Sequence, residues 1–183
     1  MTTPSVYLVG LPGSGKSTVG RQLARRLDLP FFDADQVIEQ RIGCSIRAYF
    51  EQVGEAAFRD IEVSVIDELT ASGPRVVSTG GGAVLRPENR EHLRQRGQVV
   101  YLRSTPEEVF RRLRHDRNRP LLQVEDPLAR VRELHAVRHP LYAQIAHFTI
   151  DTGRPSVSTL VNMIVMQLEL AGHLPAGGVA PGR

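Results

Sequence analysis

A chain of 183 residues, 41% hydrophobic and 23% charged, is long enough for one domain with a proper core and has an ordinary globular composition. No apolar run approaches the roughly 20 residues of a membrane span and no secretory h-region follows the N-terminus, so membrane and secreted readings are set aside. The single cysteine precludes an internal disulfide and suits the cytoplasm, while a net charge of +3 fits an anionic small molecule as readily as nucleic acid.

Along the chain, strand and helix signals alternate. Ser5–Val9 is a short β-rich run ending at Gly10, and Lys16–Leu27 carries Val19, Leu23 and Leu27 on one helical face. Phe31–Asp33, Val76–Thr79, Val99–Leu102 and His147–Ile150 read as four further strands. Helical patterns fill the gaps at Gln36–Arg41, Glu55–Thr70, Pro87–Arg96, Pro106–Arg114, Leu128–Arg138 and Ser156–Leu170. Short apolar strands separated by amphipathic helices predict an α/β fold, a parallel sheet covered on both faces. Residues 1–172 form one domain on this reading, with no internal repeat, and the Gly- and Pro-rich tail 173–183 is expected to be disordered.

Chemistry begins at GLPGSGKST, Gly10 to Thr18, where Lys16 is the only lysine among 23 Lys and Arg residues. The pattern Gly10-x4-Gly15-Lys16-Ser17 lies between a strand and a helix, the setting of a phosphate-binding P-loop. Glycines let successive backbone N–H groups turn around a phosphate, and the helix N-terminus adds partial positive charge. The candidate cradle is Gly13, Ser14, Gly15, Lys16, Ser17 and Thr18: the Lys16 ammonium reaches the β- and γ-phosphates and the Ser17 hydroxyl ligates Mg²⁺. Arginine, bulkier and planar, would fit such a loop poorly. ATP or GTP binding follows; the acceptor does not.

After the second strand, FFDADQ places Asp33 and Asp35 two residues apart, on one face if the backbone is still extended there. One could serve Mg²⁺, directly or through water, and the other a substrate hydroxyl; alternatively Asp35 merely caps the following helix. In STGGGAV, Gly80, Gly81 and Gly82 follow the third strand, either as a backbone closely approached by a ligand or as a plain flexible loop. Arg59 lies off the stripe Phe58, Ile61, Val65 and Leu69, where pairing with Glu55 on the surface is the simplest reading. The run Arg111–Leu122 is dense in charge without interleaved aromatics, so a solvated helix end or a mobile kinase lid fits better than a nucleic-acid patch. Pro120 and Pro140 each mark a helix end, leaving Arg119 in a loop and Arg138 just before a break. His135 and His139 have helical metal spacing but no third ligand nearby, and Cys44 has no partner motif.

GLPGSGKST, DAD at Asp33–Asp35, FRD with Arg59, STGGG, RNRPLL and RHPLY occur in the order found in shikimate kinases, and the chain resembles that family from Val6 to about Leu170. The P-loop alone is shared with many NTPases; the ordered set is specific. The resemblance implies a P-loop NTPase of the nucleoside monophosphate kinase type, with a five-stranded parallel sheet of order 2-3-1-4-5 and a mobile lid near 112–126. It also implies transfer of the ATP γ-phosphate to the 3-hydroxyl of shikimate, with Mg²⁺. Residue by residue, Lys16 contacts phosphate, Ser17 and Asp33 serve the metal, and Asp35 binds the shikimate hydroxyls and is the candidate base; Lys16, Asp35 and Arg119 are the implied catalytic residues. Arg59 and Arg138 grip the carboxylate, Gly80, Gly81 and Gly82 give backbone contacts, Arg119 is the lid arginine, and Arg112 and Arg154 lie near adenine. A cytoplasmic monomer acting on a small molecule, without nucleic-acid or membrane partners, is the accompanying expectation. Two rivals stand against it: a gluconate or nucleotide kinase of the same fold, and a non-catalytic nucleotide-binding module.

Overall fold

The computed structural model describes residues 2–114 and 124–177. In chain order it contains β1 (Val6–Val9), α1 (Lys16–Leu27), β2 (Phe31–Asp33), α2 (Ala34–Ile42), α3 (Ile46–Val53), α4 (Glu55–Ala71) and β3 (Val76–Ser78). A short 3₁₀ turn (Ala83–Leu85), α5 (Pro87–Arg96), β4 (Gln98–Arg103), α6 (Pro106–Leu113), α7 (Pro127–Ile145), β5 (Phe148–Asp151) and α8 (Val157–Leu170) follow.

Every residue of β1 is buried, so the strand is covered on both faces, as a central parallel strand must be. Tyr7 and Val9 face a core built with Val77, Val99 and Tyr101, closed by Ile38, Phe58, Ile66, Leu93 and Tyr142. Val6 and Leu8 face the opposite core, closed by Leu23 of α1 and Ile164 and Leu168 of α8. The strands pair in parallel in the order β2-β3-β1-β4-β5, as the family resemblance implied, with Tyr7 opposite Val77 and Val99. This arrangement brings the C-terminal ends of all five strands, and the loops after them, to one edge.

Three elements differ from expectation. α3 is an added helix, capped by the Ser45 hydroxyl: Ile46, Tyr49, Phe50 and Val53 recur at helical spacing, and the first three pack half-buried against the core. α7 does not stop before Pro140; it runs on to Ile145 with the proline inside. Pro140 and Ala136, whose carbonyl lacks its usual donor, are both exposed, so water replaces the missing bond at small cost. The tail is described as far as Gly177, and Leu174 is 3% exposed against the α1–α8 core, so order extends beyond residue 172.

Candidate active site

The phosphate loop connects β1 to α1 and is shaped by positive-φ glycines, Gly13 at 80° and Gly15 at 93°. At Gly13 a side chain is also excluded by packing, because a Cβ would lie 2.8 Å from Leu113 Cγ at the end of α6. Lys16 is buried, and its ammonium donates to the carbonyls of Gly10 (2.8 Å) and Leu11 (2.9 Å), which hold the charge against the loop. Ser17 Oγ donates to Asp33 Oδ2 at 2.7 Å and lies 3.3 Å from Ser78 Oγ. These are hard oxygen donors of the kind Mg²⁺ prefers, so Ser17 and Asp33 fit the ion. Among the described residues no group of three or more His, Cys, Asp or Glu forms a separate metal cluster.

Asp33 and Asp35 do not share an extended face. The backbone leaves the strand at Asp33, which is the N-cap of α2: its Oδ1 accepts from the N–H groups of Asp35 and Gln36. Capping therefore falls to Asp33. Asp35, in the first turn, is aimed instead at the triple glycine, where a Cβ on Gly80 would sit 2.7 Å from Asp35 Oδ1.

Across from Asp35, α4 contributes Arg59. Arg59 is only 8% exposed; its guanidinium reaches Glu55 at 3.4 Å but binds Glu62 more closely, at 2.7 Å. The surface-pair reading thus accounts for the weaker contact only. Glu62 is 1% exposed, and burial pushes its carboxyl above the usual range, with Asp35 adding to the push and Arg59 and Arg138 opposing it. The sequence reading missed Glu62. Its signal was there: Phe58, Glu62, Val65, Ile66 and Leu69 form the buried face of α4, whereas Ile61, expected on that face, is only partly buried.

The three glycines have negative or extended φ, and their common need is space. A Cβ on Gly81 would meet Pro12 Cδ at 2.6 Å, and one on Gly82 would meet Arg59 Nη2 at 2.3 Å. The triple glycine is therefore a platform against which Asp35, the phosphate loop and Arg59 each press, and the plain flexible-loop alternative falls.

Asp35, Arg59, Glu62, Gly80, Gly81, Gly82 and Arg138 line one cleft of about 730 Å³, walled by Phe50 and Phe58, with Pro12 of the phosphate loop at its border. Phe50 and Phe58 pack at a tilt of 42° with centroids 4.7 Å apart, and the Arg59 guanidinium lies 5.1 Å from the Phe58 centroid. α7 supplies Arg130, Leu134 and Arg138 to this cleft. It turns His135 and His139 to a separate cleft of about 630 Å³ that contains Arg154 and Pro155. His139 Nδ1 lies 2.8 Å from the Tyr101 hydroxyl, which gives that ring a structural partner. Arg112 ties two loops together, donating to the carbonyls of Gly13 (3.1 Å) and Thr152 (3.0 Å). Arg119 and most of the expected lid fall in 115–123, outside the described residues.

A phosphate loop and an arginine-bearing acceptor cleft on one sheet edge make this chain a P-loop kinase of the nucleoside monophosphate kinase type. The family model for shikimate kinase matches residues 12–169. A shikimate kinase of Paracidovorax citrulli is 62% identical over 93% of this chain and 95% of its own length. One of Ralstonia nicotianae is 60% identical over 94% and 90%. The solved shikimate kinase of Acinetobacter baumannii, in complex with shikimate, superposes with a TM-score of 0.89 at 46% identity, covering 94% of this chain and 96% of that one. The chain belongs to the shikimate kinase family, and it is an enzyme that uses ATP with Mg²⁺.

Proposed function

We propose that this kinase transfers the γ-phosphoryl group of ATP to the 3-hydroxyl of shikimate, giving shikimate 3-phosphate and ADP on the route to chorismate and the aromatic amino acids. The observation that carries the reading is the acceptor cleft: among the four arginines and five carboxylates that line it, Arg59, Arg138, Asp35 and Glu62 beside a phosphate loop suit a small acid bearing hydroxyls. Arg59 and Arg138 take the carboxylate, and Glu62 keeps the Arg59 guanidinium in place so that little reorganisation accompanies binding. Asp35 accepts the hydrogen bond of the reacting hydroxyl and stands ready to take its proton, while the backbone of Gly80–Gly82 seats the ring.

On the donor side, Gly13, Ser14, Gly15, Lys16, Ser17 and Thr18 cradle the phosphates, which compete with the Gly10 and Leu11 carbonyls for the Lys16 protons. When bound at Ser17 and Asp33, Mg²⁺ supplies charge neutralisation at the β- and γ-phosphates. Arg112 and Arg154 flank the adenine, and Arg119 reaches the transferring phosphate from a lid near 112–126. Phosphoryl transfer passes through a loose transition state, so alignment and charge stabilisation are what these side chains contribute. The catalytic unit spans residues 1–172 and works as a cytoplasmic monomer, without nucleic-acid or membrane partners, in keeping with its single cysteine.

The test is ADP release by purified protein with Mg²⁺-ATP and, separately, shikimate, gluconate or nucleoside monophosphates. Shikimate-dependent turnover is expected to dominate. ADP release no faster with shikimate than with buffer, alongside turnover of another acceptor, overturns the assignment.

A further inference from the structure

Tyr142 is 1% exposed, close to the acceptor cleft but not on its lining. It continues the row by which α7 reaches that cleft, at four-residue spacing after Arg130, Leu134 and Arg138. Its ring packs against Tyr101 of β4, centroids 5.1 Å apart, and its hydroxyl donates to the carbonyl of Gly81. Burial pushes the phenol well above its ordinary value, so the group remains a proton donor throughout the working range.

The Gly81 contact differs from its neighbours. The carbonyls of Gly80 and Gly82 accept from backbone N–H groups within the turn, Ala83 and Leu85, both at 3.1 Å. Among the described residues, Gly81 is where a side chain from a distant helix sets the height of the turn. On its other side, Gly81 presses on Pro12 of the phosphate loop, with no room for a Cβ. Arg138, one turn before Tyr142, faces the acceptor cleft and lies near enough to act electrostatically on both Tyr142 and Glu62. One continuous line of contacts thus joins the carboxylate grip on α7, the Tyr142 hydroxyl, the Gly81 peptide and the donor loop.

We propose that Tyr142 is a positioning residue: its hydroxyl clamps the Gly80–Gly82 turn between α7 and Pro12 and so fixes the seat of the acceptor relative to the phosphate loop. This rests on the assignment of the cleft to shikimate. A purely structural tyrosine would contribute stability alone, and a positioning one must also alter acceptor kinetics.

Tyr142→Phe keeps the ring and removes only the donor. It is expected to raise the KM for shikimate roughly five- to ten-fold, the scale of one neutral hydrogen bond, with the dissociation constant for ATP within about two-fold of wild type. Thr70→Val is the matched control, since the buried Thr70 hydroxyl, in the last turn of α4 and away from the cleft, donates to the Ile66 carbonyl and accepts from Arg96. It should lower the melting temperature while leaving both substrate constants unchanged. Both variants are assayed in the cold, and shikimate binding is also followed by calorimetry, so that a less stable Y142F is still read. Unchanged shikimate constants in Y142F overturn the inference alone, as does a parallel loss of ATP and shikimate affinity. A wild-type protein with no shikimate-dependent turnover overturns the functional reading and the inference with it.

Discussion

Replacing Gly82 with alanine separates a glycine kept for space from one kept for flexibility. Gly82 has φ −97° and ψ 4°, a backbone that alanine adopts without strain. The closest conflict is with Arg59, whose Nη2, Nη1 and Cζ would stand 2.3, 2.5 and 2.6 Å from the new methyl carbon. To restore ordinary contact the guanidinium must retreat by about 1 Å, and its 2.7 Å bond to the buried Glu62 lengthens or breaks. Both groups are almost wholly out of water, so solvent screening does not soften the loss.

A charge-assisted hydrogen bond of this kind contributes about 1.5–3 kcal/mol. If the displaced guanidinium loses one such bond to the substrate carboxylate, the KM for shikimate should rise roughly 10- to 100-fold while the KM for ATP holds. The weakened pair inside the fold should lower the melting temperature by about 3–10 °C, the scale for a loss of about 1–3 kcal/mol in a chain of this size. Steady-state kinetics with each substrate varied, and a thermal melt, read both effects. Gly73→Ala is the control, because a Cβ there meets nothing within 4 Å. A G82A enzyme within two-fold of wild type for shikimate, melting with wild type, would falsify the argument that Arg59 fills the space the missing side chain leaves.

Glu62→Gln tests the buried carboxyl. Because its folded-state pKa is raised, Glu62 favours folding below its ordinary value of 4.5 and loses that contribution as pH rises through the folded value, so the melting temperature of E62Q relative to wild type should climb over that window; a relative fall would show that the Arg59 pair outweighs burial. Asp33→Asn keeps an oxygen to cap α2 and removes the charge beside Ser17, so D33N should melt near wild type yet lose turnover and need more Mg²⁺, whereas D33A should lose stability as well. Amine-selective labelling should modify the N-terminus first without loss of activity, and inactivation should track slower labelling of the buried Lys16 and be slowed by ATP; full activity with Lys16 modified would sink its role.

The donor half of the site was legible because its information is local. In VGLPGSGKST the strand end, the turn glycines, the lysine and the helix start fall within ten consecutive residues, and the backbone that binds phosphate is the backbone those residues dictate. The layering of the sheet was legible for a similar reason, since a strand buried on both faces shows itself as an uninterrupted apolar run such as VYLV. α3 was missed although Ile46, Tyr49, Phe50 and Val53 recur at helical spacing, because the trace spans only eight residues and none of them is fully buried. Nor was the length of α7 legible, because the rule that proline ends a helix assumes that the orphaned carbonyl is costly, and on an exposed face it is not.

The acceptor half depends on contacts between residues far apart in the chain, and there composition misleads in a consistent direction. Arg59 and Glu62 look like surface charge, yet each is buried because the other is present, and neither residue alone announces it. Three adjacent glycines look like one flexible unit, yet they answer to three separate neighbours: Asp35 at Gly80, Pro12 at Gly81, Arg59 at Gly82. Of those neighbours, Asp35 and Arg59 line the acceptor cleft and Pro12 belongs to the donor loop. The turn is therefore where the two halves of the site are held in register: a methyl group at Gly81 should displace the donor loop, one at Gly82 should displace Arg59, and one at Gly80 should displace Asp35 and crowd Glu62 as well.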